Sequence, residues 1–261
     1  MAEPDAAVAI VHARAEDSVL LMRRAEHAED AWSGHWSFPG GRCEPQDSDP
    51  LHTALRELEE ECGVRLTRGQ LHAALPLSVA RRRVGRFLLV APFVFDIETE
   101  RPASLDAQEA VEALWVPLSV LRDPARHALR PVPGLPPEVL FPAIDLNGVP
   151  LWGFTYRLIT DWLELTPRGS AVEEAGVRTA RALLDWIIAH GCTLEHDWAD
   201  REGAQVAAVR GAIPVELLRA HLPALTAPIP CVNRLEVSAG RIRLVGLAFE
   251  EYVISVEPDR A

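Results

Sequence analysis

The sequence contains no lysine, only four cysteines and no apolar run long enough to cross a membrane. Its longest apolar candidate, Phe87–Phe95, has the length of a strand, whereas a membrane helix needs roughly 20 apolar residues. The cysteines are far apart and form no C-x-x-C pair, which argues against a zinc ribbon and a disulfide scaffold; they are Cys43, Cys62, Cys192 and Cys231. Since 48% of the residues are hydrophobic and 25% are charged, we expect a globule with a true core.

All basic residues are arginines, and acidic residues outnumber them, so the formal net charge is −12. The resulting field repels phosphate, and we therefore expect neither nucleic acid nor an anionic membrane surface as a partner. A phosphate-bearing small molecule is compatible with this charge if a divalent cation lies between it and the protein. The first residues lack the basic region of a signal peptide, so we expect a cytoplasmic location.

Strand-like and helix-like segments alternate over residues 7–165, which favours a mixed α/β fold. A linker-like composition at Thr166–Ser170 marks a boundary. We therefore predict a first domain over residues 1–167 and a small C-terminal α+β module over residues 168–261. Three roles are open for this module: covering an active site, pairing two chains as a homodimer, or binding another partner.

The segment Pro50–Cys62 is predicted to be an amphipathic helix. Asp49 is a suitable N-cap, and Pro50 fits the first helical position because its missing N–H has no helical partner there. Apolar residues recur with helical spacing and predict one buried face; they are Leu51, Leu55, Leu58 and Cys62. Gly63 can adopt the left-handed conformation that ends the helix.

The same helix carries a cluster of acids. Glu57 and Glu61 are four residues apart on one face, and Glu60 lies beside them. Two carboxylates about 5–6 Å apart repel by roughly 3 kcal/mol at an effective dielectric constant of about 20. Arg56 offsets part of this repulsion, and a bound Mg²⁺ or Mn²⁺ would offset the rest. The alternative, from spacing alone, is a solvated acidic helix face.

The region from Gly41 to Val64 resembles a Nudix box, whose signature is G-x5-E-x7-R-E-U-x-E-E-x-G-U, with U a bulky aliphatic residue. The second half of the signature matches completely, at Arg56, Glu57, Leu58, Glu60, Glu61, Gly63 and Val64. The first half departs from it: the loop is one residue longer, and no residue in 44–49 matches the lone glutamate unambiguously.

The departure itself resembles the coenzyme A pyrophosphatase branch, whose box reads F-P-G-G-x-x-D-x-x-D-x5-T-A-L-R-E. This chain has Phe38–Gly41, then Glu44 in place of the first aspartate, Asp47, and Thr53–Glu57 at the same spacing. The leader of that branch also carries a second arginine, where this chain has Asp30.

The resemblance implies a Nudix α/β/α sandwich with a mixed sheet over roughly residues 5–165. It also implies Mg²⁺- or Mn²⁺-dependent hydrolysis of a nucleoside diphosphate linked to another moiety, with coenzyme A or an acyl-CoA among the candidates. A hypothesis of another class is a non-catalytic nucleotide sensor or scaffold with the C-terminal module as effector. Non-enzymatic relatives usually lose glutamates of the box, which this chain keeps.

The matched positions also imply roles for individual residues. Glu57 and Glu61 correspond to metal ligands, and Glu60 corresponds to a further ligand or to the base that activates water. Arg56 would orient the glutamates through Glu60. At Gly40 and Gly41 the absence of side chains lets the backbone pass close to the metal and phosphates, which makes them substrate-binding candidates.

Weaker candidates lie outside the box. Glu109, with Glu112, resembles an acidic pair that supplies the base in some members of the family; the alternative is a turn beside a strand. Arg82 belongs to an arginine-rich turn that would clamp substrate phosphates, or would form a solvated hairpin tip. Aromatic side chains ahead of the box would stack on a base or pack in the core; they are Trp32, His35 and Trp36.

Overall fold

The structure, a computed structural model, describes residues 3–26, 33–81, 87–226 and 232–257. The chain falls into two units: the first is Met1–Arg122 with Asp145–Trp162, and the second is Asp123–Ile144 with Leu163–Ala261. This division differs from the single boundary near residue 167 that the sequence predicts. The difference is confined to residues 123–144, which belong to the second unit, and to a few residues around the predicted linker.

The strands and the helices are each numbered in chain order. The strands are β1 Ala6–Ala13, β2 Ser18–Arg24, β3 Trp36–Ser37, β4 Gly40–Arg42, β5 Leu71–Ala74, β6 Ser78–Arg81, β7 Phe87–Ile97, β8 Ala110–Pro117, β9 His127–Pro131, β10 Val139–Leu146, β11 Val149–Trp152, β12 Thr193–Arg201, β13 Ala204–Arg210, β14 Val232–Val237, β15 Arg241–Gly246 and β16 Glu251–Glu257. The helices are α1 Pro50–Cys62, α2 Leu118–Arg122, α3 Gly153–Trp162, α4 Ser170–Ala189 and α5 Val215–Leu225. Within the described ranges, no helix is both long enough and apolar enough to cross a membrane.

A mixed sheet forms the first unit and confirms the predicted α/β class. Its strand order is β3-β2-β1-β7-β5, with β4 paired to β1, β6 to β7 and β8 to β2. Strands β1 and β7 are parallel from Ala6↔Val90 to Ala13↔Ile97, whereas β2 runs antiparallel to both β1 and β8. Most of β1 is buried, which explains why its sequence reads as a nearly continuous apolar run.

Helix α1 begins and ends where the sequence predicts. The Asp49 side chain accepts a hydrogen bond from the His52 N–H at 2.9 Å, and Pro50 is the first helical residue. Gly63 has a φ of +65° and donates its N–H to the Glu59 carbonyl oxygen at 2.9 Å. The buried face packs Ala54, Leu58 and Cys62 into the core formed with β1, β2 and β7.

The second unit is an α+β structure with its own core. Its sheet runs β10-β14-β15-β16-β13-β12, with β9 paired to β10; β13 and β16 are parallel, and the other neighbours described are antiparallel. Leu129 on β9 and Leu140 on β10 lie in the same hydrophobic cluster as Ile187 and Leu222 from α4 and α5. Residues 123–144 therefore fold with the second unit because their apolar side chains complete its core.

The Gly63→Ala variant tests the helix stop. A non-glycine residue in the left-handed conformation costs about 1–2 kcal/mol, and the added Cβ would also lie 2.9 Å from the Ser104 Cβ. We expect a loss of at least about 1 kcal/mol in the free energy of unfolding, measured by urea denaturation. Gly69→Ala is the matched control, since Gly69 has an ordinary φ and only a 3.6 Å neighbour; equal stability of the two variants would contradict this account.

Candidate active site

A cavity of about 230 Å³ opens in the first unit beside the predicted acidic helix. Four elements line it: the end of β2, strand β4, helix α1 and the turn before β8. The lining residues are Arg24, Gly40, Gly41, Glu57, Glu61, Gln108 and Glu109. Five of the predicted site residues therefore share one cavity, in which three carboxylates face one arginine.

Glu61 is the most deeply buried acid of the site, with 4% of the residue exposed. Its Oε2 accepts a hydrogen bond from the Gly40 N–H at 2.8 Å, and its Oε1 lies 3.9 Å from Nη1 of Arg24. Burial raises the pKa of Glu61 to about 8; the Gly40 hydrogen bond and Arg24 oppose the rise, and Glu57 and Glu109 add to it. Its negative charge is thus only partly compensated by the protein.

Glu57 is one helical turn before Glu61 and is also largely buried, with 14% of its side chain exposed. Burial raises the pKa of Glu57, the guanidinium of Arg56 lowers it, and repulsion from Glu60 and Glu109 raises it further. Carboxylates that raise one another's pKa in a shared cavity form a site with excess negative charge.

Arg56 is held by acceptors on every side. Its Nε and Nη2 donate to the two carboxylate oxygens of Asp47 at 3.1 Å each, and Nη2 also donates to the Arg42 carbonyl oxygen at 3.2 Å. Its Nη1 lies 2.8 Å from Oε2 of Glu60 and 2.9 Å from Oε1 of Glu57. Each guanidinium nitrogen of Arg56 therefore faces an oxygen of this chain, and the guanidinium holds Glu57 and Glu60 in place.

Asp47 is the counterpart of Arg56, and sequence reasoning gave it no site role. It is nearly enclosed, with 2% of its side chain exposed, and it accepts further hydrogen bonds from the Thr53 hydroxyl at 2.8 Å and the Glu44 N–H at 2.9 Å. The Arg56 guanidinium holds the pKa of Asp47 well below its usual value of 3.8. The signal was present, because Asp47 is the second aspartate of the branch-specific box.

The two glycines of β4 are required by their surroundings. Strand β4 pairs with β1, placing Gly40 opposite Val8 and Gly41 opposite Ala7. A Cβ on Gly40 would collide with the Ala7 carbonyl oxygen, and a Cβ on Gly41 would collide with the Glu57 carboxylate. Gly40 therefore needs glycine so that its backbone can lie against β1, whereas a side chain at Gly41 would displace the Glu57 carboxylate.

The candidates outside this group have different surroundings. Glu60 is not among the described residues that line the cavity; 54% of its side chain is exposed, and it is bonded to Arg56. Glu112 is also not among the residues that line the cavity, and its Oε2 lies 3.9 Å from Nη1 of Arg23. Trp36 is buried in the core, and the His35 ring packs edge-on against Trp152 at 5.1 Å. Arg82 and Trp32 lie outside the described residues.

Arg24 and Gln108 line the cavity although sequence reasoning gave neither a role. Arg24 is the last residue of β2 and is paired in register with Ala110 of β8, next to Glu109. Arg24 lies within the run Leu20–Arg24, which resembles the leader of the coenzyme A pyrophosphatase branch, so a usable signal existed. Gln108 had no comparable signal, because it lies in a turn with no recognisable spacing.

The donor chemistry of the cavity fits a hard divalent cation, since carboxylate oxygens are the ligands that Mg²⁺ and Mn²⁺ prefer. In the parts of the chain that the structure describes, however, no group of three or more His, Cys, Asp or Glu side chains is arranged to hold a metal ion. The support for a metal site therefore comes from the residue types and from the cavity that they share.

The Asp47→Asn variant tests the link between the loop and the helix. Because folding lowers the pKa of Asp47, the ionised carboxylate stabilises the fold above its ordinary pKa, and this contribution is lost as the pH falls below that value. We expect the variant to lose about 2 kcal/mol in the free energy of unfolding at pH 7, and a smaller amount at pH 3, measured by urea denaturation.

Asp161→Asn, at an exposed position of α3, serves as the control and should change stability little at either pH. A loss for Asp47→Asn that is the same at pH 7 and pH 3 would contradict the proposed ion pair, because a purely steric effect does not titrate.

Comparison with known proteins identifies the family. A model of the NUDIX domain matches residues 3–134, about half of the chain. An uncharacterized protein of Schizosaccharomyces pombe is 36% identical over 107 residues, 40% of this chain and 32% of that protein. The mitochondrial coenzyme A diphosphatase NUDT8 of Mus musculus is 30% identical over 100 residues, 38% of this chain and 48% of that protein. The chain thus spans less than half the length of these curated relatives.

Two of the solved structures to which this chain is similar come from other organisms. The NUDIX domain of Shewanella oneidensis NrtR, complexed with ADP ribose, aligns with a TM-score of 0.42 and 18% identity over 63% of this chain and 89% of that chain. A Caenorhabditis elegans Ap4A hydrolase aligns with a TM-score of 0.36 and 19% identity over 44% of this chain and 81% of that chain. The domain match covers β1 to β8, α1 and the whole cavity. Because the match extends over about half of the chain, the chain belongs to the NUDIX family.

Proposed function

We propose that this chain is a divalent-metal-dependent pyrophosphohydrolase acting on a nucleotide-type diphosphate, with coenzyme A or an acyl-CoA as the first substrates to test. One observation carries the proposal: Glu57, Glu61 and Glu109 line a single cavity together with Arg24. Three carboxylates with incompletely compensated charge favour a divalent cation, and a cation beside an arginine favours a substrate that carries phosphates.

In this proposal Glu57 and Glu61, which line the cavity, hold Mg²⁺ or Mn²⁺. Glu60 would have to leave Arg56 to act as a further ligand. Such an ion neutralises phosphate charge and polarises phosphoryl oxygens. Arg56 and the Gly40 N–H keep the two carboxylates in place, since they bind Glu57 and Glu61 respectively. Arg24 faces the same cavity and supplies positive charge for a phosphate oxygen. Gly40 and Gly41 line the same cavity with backbone atoms alone, which a substrate can approach closely.

Water then attacks a phosphorus of the pyrophosphate, and the bond from that phosphorus to the bridging oxygen breaks. A carboxylate must accept the proton that the water loses. Glu60 is bonded to the Arg56 guanidinium, whereas Glu109 lines the cavity. We therefore assign the role of general base to Glu109 in preference to Glu60.

The substrate class rests on two kinds of support. The box of this chain is similar to that of coenzyme A pyrophosphatases from Phe38 to Glu57, and the NUDT8 relatives of mouse and human, named coenzyme A diphosphatases, are 30% and 31% identical over the aligned parts. Phosphate binding by Arg82, a homodimer and a cytoplasmic location remain predictions; both named relatives are mitochondrial proteins.

A substrate panel tests the proposal directly. We expect turnover of at least one of coenzyme A, acyl-CoA, ADP-ribose, NADH, dinucleoside polyphosphates and nucleotide sugars in the presence of Mg²⁺ or Mn²⁺, and no turnover with EDTA, because the carboxylates alone cannot neutralise the phosphates. Products are identified by mass spectrometry. Tight nucleotide binding that persists without metal and yields no product would instead favour the sensor hypothesis.

Three substitutions separate the proposed roles. Glu61→Gln removes the carboxylate that would hold the ion but keeps an oxygen for the Gly40 N–H. We therefore expect a folded protein with kcat at least about 100-fold lower, beyond the 10–100-fold typical of losing an outer-shell partner. Glu109→Gln should lower kcat by about 10²–10⁴-fold while Mn²⁺ still binds. Glu59→Gln is the control, because Glu59 is exposed on α1 and pairs with Arg65 at 2.7 Å. Unchanged kcat in Glu61→Gln would remove Glu61 from the site.

A further inference from the structure

Two histidines lie close together on neighbouring helices of the second unit. The cavity lined by Glu57, Glu61 and Glu109, called the carboxylate cavity below, belongs to the first unit. His190 directly follows the last residue of α4, and His221 lies in α5. Both residues are exposed, and their ring centroids are 6.1 Å apart. Trp186 of α4 lies beside both rings: His190 stacks on it at 3.8 Å with an interplanar angle of 18°, and His221 lies 5.4 Å from it.

Backbone hydrogen bonds fix the tautomer of both rings. Nδ1 of His190 lies 2.7 Å from the Trp186 carbonyl oxygen, and Nδ1 of His221 lies 2.8 Å from the Leu217 carbonyl oxygen. A carbonyl oxygen can only accept a hydrogen bond, so Nδ1 carries the proton in each ring. Nε2 of each neutral ring therefore has a free lone pair, which is the form in which imidazole binds metals.

This arrangement is the one found around metal-binding histidines, whose second ring nitrogen typically donates to a carboxylate or a backbone carbonyl. The distance between the rings is close to the one that a shared ion requires. An imidazole nitrogen binds Zn²⁺ at about 2.0–2.1 Å, so at a tetrahedral angle two rings that share one ion have centroids about 5 Å apart. From the present 6.1 Å, the exposed His221 ring has to move about 1 Å towards His190 when the ion binds.

The platform beneath the rings is rigid, because Trp186 packs against the hydrophobic core of the unit together with Ile187 and Leu222. We propose that Nε2 of His190 and Nε2 of His221 bind one Zn²⁺ or a chemically similar transition-metal ion, which links α4 to α5. The described residues contain no group of three or more His, Cys, Asp or Glu side chains that could hold a metal ion, so water molecules complete the coordination of this ion.

The two nitrogen ligands select a class of ion different from that of the carboxylate cavity. Imidazole suits Zn²⁺, Cu²⁺ and Ni²⁺, whereas Mg²⁺ and Mn²⁺ prefer oxygen ligands. The inference is therefore independent of the proposed hydrolase activity, and neither result decides the other. Its consequence is local: a bound ion would hold the end of α4 to α5 and stabilise the second unit against unfolding.

Calorimetric titration of the full-length protein with ZnCl₂, in a large excess of Mg²⁺, tests the proposal. The excess Mg²⁺ occupies oxygen-ligand sites, and thermal denaturation with and without ZnCl₂ gives a second measurement. We expect one Zn²⁺ per chain, an affinity at least about tenfold weaker in both His190→Gln and His221→Gln, and a Zn²⁺-dependent rise in the unfolding temperature that both variants lose.

His196→Gln is the matched control, since His196 is exposed in the same unit on β12 but belongs to neither helix; it should bind Zn²⁺ like the unaltered protein. Zn²⁺ taken up at Cys43 or in the carboxylate cavity would be common to all four proteins. Equal affinity in the unaltered protein and in His221→Gln, with both folded by circular dichroism, would overturn the proposal, as would the absence of Zn²⁺ binding in the unaltered protein.

Discussion

The carboxylate cavity depends on the binding of one guanidinium by two segments of the chain. Arg56 joins Asp47 in the loop after β4 to Glu57 and Glu60 on α1. Without this cation, three glutamates within one helical turn and a nearly enclosed aspartate would repel one another in a region of low dielectric. With it, the loop is closed onto the helix, and the backbone of Gly41 lies against the Glu57 carboxylate. The same interaction thus stabilises the fold and shapes the site.

The negative charges of the acidic residues are compensated unevenly, and those inside the cavity are compensated least. Arg56 contacts Asp47, Glu57 and Glu60, whereas Glu61 receives one backbone hydrogen bond and has Arg24 only at 3.9 Å. Glu109 adds a third carboxylate from a different element. Burial is the main cause of the raised pKa of Glu61, and repulsion from Glu57 and Glu109 adds to it, so negative charge inside the cavity is costly. Under the proposed function, a divalent cation would neutralise this charge, in a protein whose net charge is −12.

Local sequence patterns predicted helix α1 closely, because its determinants lie within a few residues of one another. The N-cap, the proline at the first helical position, the helical apolar spacing and the left-handed glycine all occur between Asp49 and Gly63. The α/β class was predictable for the same reason, because each strand-like or helix-like segment is recognisable within a short stretch of sequence. The extent of the second unit was not predictable, because no local pattern reports its long-range contacts. Leu140 of β10 pairs with Leu235 of β14, about a hundred residues away, and Leu129 joins the same core through the pairing of β9 with β10.

The sequence by itself determined the acidic helix, its caps, the glycine turn and the family, since each follows from spacing along a short stretch. Only the tertiary structure decided which residues share the cavity. Pairing of β2 with β8 places Arg24 opposite Ala110, and a hydrogen bond from the Ala25 N–H to the Glu109 carbonyl oxygen holds Glu109 beside it. Packing of α5 beside α4 likewise brings His221 to His190. Side chains far apart in the chain meet only when sheets and helices pack, because burial of apolar surface drives that packing irrespective of separation along the sequence.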